Sequence, residues 1–293
     1  MKKRIFSTVG IWVLIIGLLY FVGPVAGVWL LTALALATQR ELYVMLEKLG
    51  GQPYKRLGLA MGAVIMLGAY YLPHASSPWN AYSGMDLLVM SLVICAFTSL
   101  ITAPEKPYTR TLMPTLFAVV LIPFTLQFLV AVMMLPMGVT KVIGFSLRVD
   151  YFEQQGLLLA IWIVAVAKFC DVGALLTGMA IGKHKFSPAL SPKKTWEGVF
   201  GGIAGSVGIG VLFVWTAGDH LPSGLTIAKA ALIAVPISIA NIASDLLESA
   251  IKREAGVKDS GTMIPGIGGA FDLADSFVLS APVGYYLLRW LIV

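Results

Sequence analysis

Charge is what this sequence has least of. Of its 293 residues only 12% are Asp, Glu, Lys or Arg, against roughly 25% in a soluble globular domain. An ordinary water-soluble fold is excluded. Cysteine is nearly absent as well. Cys95 and Cys170 both fall inside apolar runs, so they read as small core residues and no disulfide between them is expected. There are three histidines. His184 has no partner histidine at metal-ligand spacing, so it reads as a polar loop residue and not as a zinc ligand. No basic cluster carries interleaved aromatics, which argues against nucleic-acid binding. No internal repeat, low-complexity tract or soluble domain is visible. The chemistry must therefore sit at a membrane face or within a helix bundle.

Apolar runs fill the chain instead. It is 58% hydrophobic, with a mean hydropathy of +0.86, and several runs approach or exceed the ~20 residues that cross a hydrocarbon core. The runs are continuous and not alternating, so the expected fold class is all-α: a polytopic membrane helix bundle, not a β-barrel. The first run, Ile5 to Val22, follows Lys2, Lys3 and Arg4. It reads as a span and not a signal peptide, because no small-x-small cleavage site follows. Val25 to Thr38 is a shorter run. Gln39 to Gly50 reads as an interfacial amphipathic helix, with Leu42, Met45, Leu46 and Leu49 on one face. Gly50, Gly51 and Pro53 should end it. Further spans are expected at Leu57–Leu72, Leu87–Ile101, Leu112–Leu135, Leu157–Ile181, Trp196–Trp215, Ile227–Ser244 and Phe271–Leu291, about nine in all. Residues 1–150 and 151–293 read as an N-terminal and a C-terminal, catalytic part of one membrane domain.

The net charge of +6 has a topological explanation. With the N-terminus cytoplasmic, the inner loops hold sixteen of the 21 Lys and Arg, as the positive-inside rule requires. The C-terminus then lies outside, with Arg289 and Trp290 as interfacial anchors.

The few acids are concentrated. Asp245 and Glu248, then Asp272 and Asp275, form two pairs spaced i,i+3, each on one face of a helix. Lys252, Arg253, Lys258 and a glycine-rich turn from Pro265 to Gly269 lie between the pairs. Carboxylates for a divalent cation, cations for phosphate and a flexible backbone cradle are the parts of a phosphoryl- or nucleotidyl-transfer site. With no Cys or His to hand, oxygen ligands point to a hard ion such as Mg²⁺. The bland alternative is solvation of two helix ends.

Two more segments converge on that face. Lys168 and Asp171 lie inside the span Leu157–Ile181, where a charge costs ~2.5–3.5 kcal/mol on insertion scales. They read either as a self-neutralising pair or as the lining of a polar cavity. The loop Gly182 to Gly202 contains Ser191-Pro192, a good N-cap and N1 pair, and Thr195, which could cap the next turn. A helix N-terminus beside Lys193 and Lys194 is a natural phosphate site. The bland alternative is a loop obeying the charge rule.

These motifs together resemble the phosphatidate cytidylyltransferase family. Its signature is similar to Ser249, Lys252, Arg253, Lys258, Asp259, Gly261, Pro265, Gly266, Gly268, Gly269, Asp272 and Asp275, in order and spacing. A second block matches at Asp171, Gly173 and Ala174, at G-K-H-K (Gly182 to Lys185) and at S-P-K-K-T-W-E-G (Ser191 to Gly198). Glu41 and Gly50 before Pro53 also resemble the family. Two positions depart: Ile267 stands in place of a histidine and Leu273 in place of an arginine.

The resemblance implies condensation of CTP with phosphatidate to CDP-diacylglycerol and pyrophosphate, in a multi-pass protein of the inner membrane. It implies Asp245, Glu248, Asp272 and Asp275 as Mg²⁺ ligands, a second, monovalent ion being left open. Lys252, Lys258 and Asp259 join Asp245, Asp272 and Asp275 in the expected catalytic set. Asp171, Ser191, Lys193, Lys194, Thr195, Glu197, Arg253, Gly266, Gly268 and Gly269 are the expected substrate-binding residues. Homodimerisation is left open. So are the rivals: a polyprenol kinase, an archaeol-type cytidylyltransferase, or a transporter or non-catalytic scaffold. A transporter would place ionisable groups at mid-membrane in repeated halves, and here they gather at one face.

Overall fold

The computed structural model describes residues 17–19, 21–74, 84–102, 107–135, 151–188, 190–261 and 268–292. Most of the run Ile5 to Val22 lies outside them. Helices dominate: α1 (Pro24–Lys48), α2 (Lys55–His74), α3 (Gly84–Thr102), α4 (Tyr108–Leu121), α5 (Pro123–Met133), α6 (Tyr151–Ile181), α7 (Trp196–Ala217), α8 (Ile227–Glu254), α9 (Ala270–Val278) and α10 (Ser280–Ile292). Between α6 and α7 lies one antiparallel hairpin, β1 (Lys185–Ser187) and β2 (Ser191–Thr195), with Lys185 opposite Thr195.

Among the described residues, five stretches are long and apolar enough to cross a membrane: Lys55–Pro73, Tyr108–Met133, Gln154–Ile181, Trp196–His220 and Ile227–Glu254. This is a polytopic helical membrane protein. The run Val25–Thr38 and the segment Gln39–Gly50 are joined in one 25-residue helix, α1. No Gly or Pro separates them, so nothing interrupts the hydrogen-bond ladder. Its end is as expected. Gly50 takes φ 87°, and the N–H groups of Gly50 and Gly51 reach Glu47 O at 3.0 Å and Leu46 O at 2.9 Å, closing a Schellman motif. The last expected span divides into α9 and α10 at Leu279.

The chain forms two compact units. The first combines residues up to Val130 with Glu254–Ala274. Met61, Ile65, Leu87, Leu88, Cys95 and Val119 are buried together in it. Tyr43 on α1 is fully buried. Its hydroxyl donates to Thr115 O at 3.2 Å and accepts from Gln39 Nε2 at 3.0 Å. Of the face expected at the lipid interface, Leu42 and Met45 are buried in protein, Leu46 is half-buried and Leu49 is exposed.

The second unit comprises Ala131–Arg253 and Asp275–Val293. Here α6 and α7 run in close contact because small residues let their backbones approach. A Cβ on Gly202 would stand 2.9 Å from Cys170 O, and one on Gly205 2.8 Å from Phe169 O. The buried Trp162 donates from Nε1 to Gly210 O at 3.0 Å. Leu175, Phe200 and Trp215 are exposed at 60%, 66% and 72%, as lipid-facing side chains of a membrane bundle are. Helix α8 runs ten residues past the expected Ser244 to Glu254. That extension carries Asp245, Glu248 and Lys252 along one helix.

Candidate active site

Asn241, Asp245, Glu248 and Lys252 are spaced i, i+4, i+7 and i+11, so they share one face of α8. Asp275 comes from α9. Ligand oxygens of Asp245, Glu248 and Asp275 all lie within 4.8 Å of one another. Glu248 is buried, while Asp245 and Asp275 are half-buried. Like charges this close repel, and each carboxylate has a lysine beside it. Lys194 of β2 pairs with Asp245. Lys252 Nζ lies 2.8 Å from Glu248 Oε2, and Lys168 Nζ lies 3.8 Å from Asp275 Oδ1. Burial pulls the Lys194 ammonium below its ordinary pKa, opposed chiefly by the negative charges of Asp171 and Asp275.

Behind the cluster the polar groups are interlocked. Asp171 Oδ1 accepts from Asn241 Nδ2 at 2.7 Å, and Oδ2 accepts from Ser276 Oγ at 2.8 Å. Ser276 Oγ accepts from Lys168 Nζ at 2.8 Å. Ser244 Oγ donates to the backbone oxygen of Asp275. Both oxygens of Asp171 are therefore engaged by side chains of α8 and α9. Asp171 acts as a brace behind the cluster.

In the first unit the start of α9 is closed off by side chains. The N–H groups of Ala270 and Phe271 each donate at 2.9 Å to the two oxygens of Glu41. Gly269 N donates to Asp272 Oδ2 at 2.7 Å, and Asp272 N to Ser260 Oγ at 3.3 Å. This is a capping box whose hydroxyl comes from Ser260 and not from the N-cap residue. Ser260 Oγ lies 2.8 Å from both Glu41 Oε2 and Asp272 Oδ2. The N–H of Gly269, expected to cradle phosphate, is thus donated internally. Gly268 takes φ 123°. Gly266 lies outside the described residues, as does Ile267.

The loop Gly182–Gly202 departs from expectation at one point. Ser191 and Pro192 belong to β2 and cap no helix, because the segment pairs with β1. Thr195 is the cap of α7, accepting from Gly198 N at 3.2 Å. Glu197, expected at the substrate, meets His184 Nδ1 at 2.6 Å and accepts from His184 N. Lys193, Arg253, Lys258 and Asp259 are exposed, and Leu273 is half-buried in α9.

Of the four expected metal ligands, then, Asp245, Glu248 and Asp275 meet in one group, and Asp272 caps α9 with Ser260. The donor set of that group is all carboxylate oxygen, which fits a hard divalent cation. One turn earlier on the same face of α8, Asn241 Oδ1 is buried with no hydrogen-bond partner among the described residues. That is room for one more polar contact. Sequence reasoning missed Asn241, Ser260 and Ser276, and the capping role of Glu41. The i,i+4 step from Asn241 to Asp245 was a readable signal; Glu41 was visible only through the resemblance, with nothing local to mark its capping role.

A phosphatidate cytidylyltransferase of Synechocystis sp. is 30% identical over 259 residues, covering 85% of this chain and 83% of its own length. One of Haemophilus influenzae is 34% identical over 143 residues, 48% of this chain and 50% of its own. The uncharacterised YnbB of Escherichia coli is 37% identical over 137 residues, 47% and 44% of the two chains. The profile of the cytidylyltransferase family matches residues 2–291, nearly the whole sequence and both carboxylate pairs, and the chain belongs to that family.

Proposed function

We propose that this chain is a phosphatidate cytidylyltransferase. A phosphate oxygen of phosphatidate bonds to the α-phosphorus of CTP. The bond from that phosphorus to the β-phosphate breaks, pyrophosphate leaves, and CDP-diacylglycerol stays in the bilayer. Phosphatidate already carries an ionised oxygen, so no protein nucleophile is required.

The observation that carries the reading is the meeting of Asp245, Glu248 and Asp275 within 4.8 Å, in a unit where Lys194 and Lys252 contact two of them. Two anionic substrates cannot approach each other without positive charge between them. Mg²⁺ held by Asp245, Glu248 and Asp275 would neutralise the triphosphate and the departing pyrophosphate. The chain's own cations do the rest. Lys193, Lys194, Lys252 and Arg253 draw phosphate oxygens into line, and Asp171 with Ser276 and Lys168 keeps Asp275 oriented. The basic hairpin faces the cytoplasm from the inner membrane, on the side that supplies CTP.

Pyrophosphate release by purified protein in detergent, with CTP and a panel of lipid phosphates, tests this. Release that needs both Mg²⁺ and phosphatidate is expected. CDP formation with a polyprenol, and no pyrophosphate release with phosphatidate, would replace the reading with a kinase. The panel matters because Leu273 offers no charge where the motif that the chain resembles has an arginine.

A further inference from the structure

Each clustered carboxylate is already neutralised by a lysine, and the three lysines come from three elements: Lys168 from α6, Lys194 from β2 and Lys252 from α8. The Lys252–Glu248 pair is sheltered, with side chains 15% and 2% exposed. Lys168 differs from the other two. It is held in a span by Ser276 at 2.8 Å and lies over the Phe277 ring, 4.8 Å from its centre. Lys194 and Lys252 are point charges on flexible four-carbon stems, able to leave a carboxylate without any backbone movement.

We propose that Lys194 and Lys252 are stand-ins for the divalent cation. They neutralise Asp245 and Glu248 while no metal is present, and are released to the phosphate oxygens of the nucleotide when the cation enters. Lys168 stays at Ser276 and keeps Asp275 in place. The proposal rests on the cytidylyltransferase reading and adds a coupling to it. The cation frees the ammoniums that phosphate needs, so cation and nucleotide strengthen each other's binding by the same factor. The alternative role has the opposite sign. A lysine that merely braces a metal ligand weakens the metal site when removed; a lysine that competes with the metal strengthens it when removed.

The test uses the full chain in lipid nanodiscs and Mn²⁺ as the probe, with unbound Mn²⁺ followed by its paramagnetic resonance signal. Without nucleotide, Lys194→Gln and Lys252→Gln are expected to bind Mn²⁺ about tenfold more tightly than the wild type. The wild type alone gives a second reading. CMP, a weak chelator, is expected to bind at least about fivefold more tightly with saturating Mn²⁺ than without it, and this gain should shrink in both variants. Equal or weaker Mn²⁺ binding in both variants, or CMP binding indifferent to Mn²⁺, overturns the proposal and leaves the enzyme standing. No Mn²⁺ binding by the wild type overturns the proposal and the metal site together.

Discussion

Glu41 lies 219 positions from Ser260 and 230 from Phe271, yet it accepts hydrogen bonds from both. Glu41→Ala orphans two N–H groups at the start of α9 and is expected to lower stability by about 1–2 kcal/mol. Glu41→Gln keeps one acceptor oxygen and should lose less. Thermal unfolding in detergent checks this, and equal losses in the two variants would contradict the capping role. The acids around the cluster were legible in the sequence, because i,i+3 and i,i+4 steps on one helix are visible without a fold. Glu41 was legible only as part of a pattern, since contacts across two hundred residues have no local period. The glycine-rich turn has a similar long-range side. Glycine marks where the backbone comes close to something, and at Gly269 a Cβ would meet the Ser260 hydroxyl and the Glu41 carboxylate. In the cluster itself, Asp275→Asn removes one charge where cation and phosphate meet. A fall in kcat of at least about 10²-fold is expected, and unchanged turnover would remove Asp275 from the site.

The close contact of α6 with α7 sets the position of Lys168 and Asp171, and glycine makes that contact. Gly205→Ala would drive a methyl group to 2.8 Å from the backbone oxygen of Phe169 and should cost about 1–3 kcal/mol. Gly208, on the same helix, has open space where a methyl group would stand, with nothing within 4 Å. Gly208→Ala should be neutral or gain a few tenths of a kcal/mol, up to about 1. Comparing the two unfolding midpoints isolates packing from helix propensity, and matching shifts would contradict the packing account. The hairpin was less legible than the helices. Ser191-Pro192 has the chemistry of a helix start, but pairing with Lys185–Ser187 claims the segment as a strand and moves the cap to Thr195. Local preference gave way to a tertiary pairing that the sequence alone does not display.

For the molecule as a whole, hydropathy revealed the class, and the charge bias gives an expected sidedness. The span count was less legible, because the final apolar run holds two helices and α1 continues unbroken through a polar segment. Sidedness is open to direct measurement. Helix α7 separates the hairpin from the loop at Ser223, so Lys193→Cys and Ser223→Cys should react with an impermeant thiol reagent from opposite faces of sealed vesicles. Labelling of both from one face would contradict the topology. The reaction is tested most directly with CTP labelled at its α-phosphorus, phosphatidate in nanodiscs and Mg²⁺. The label is expected to pass into the lipid phase with the wild type and to stay in water with Asp245→Asn. Transfer by that variant at the wild-type rate, or none by the wild type, would contradict the account.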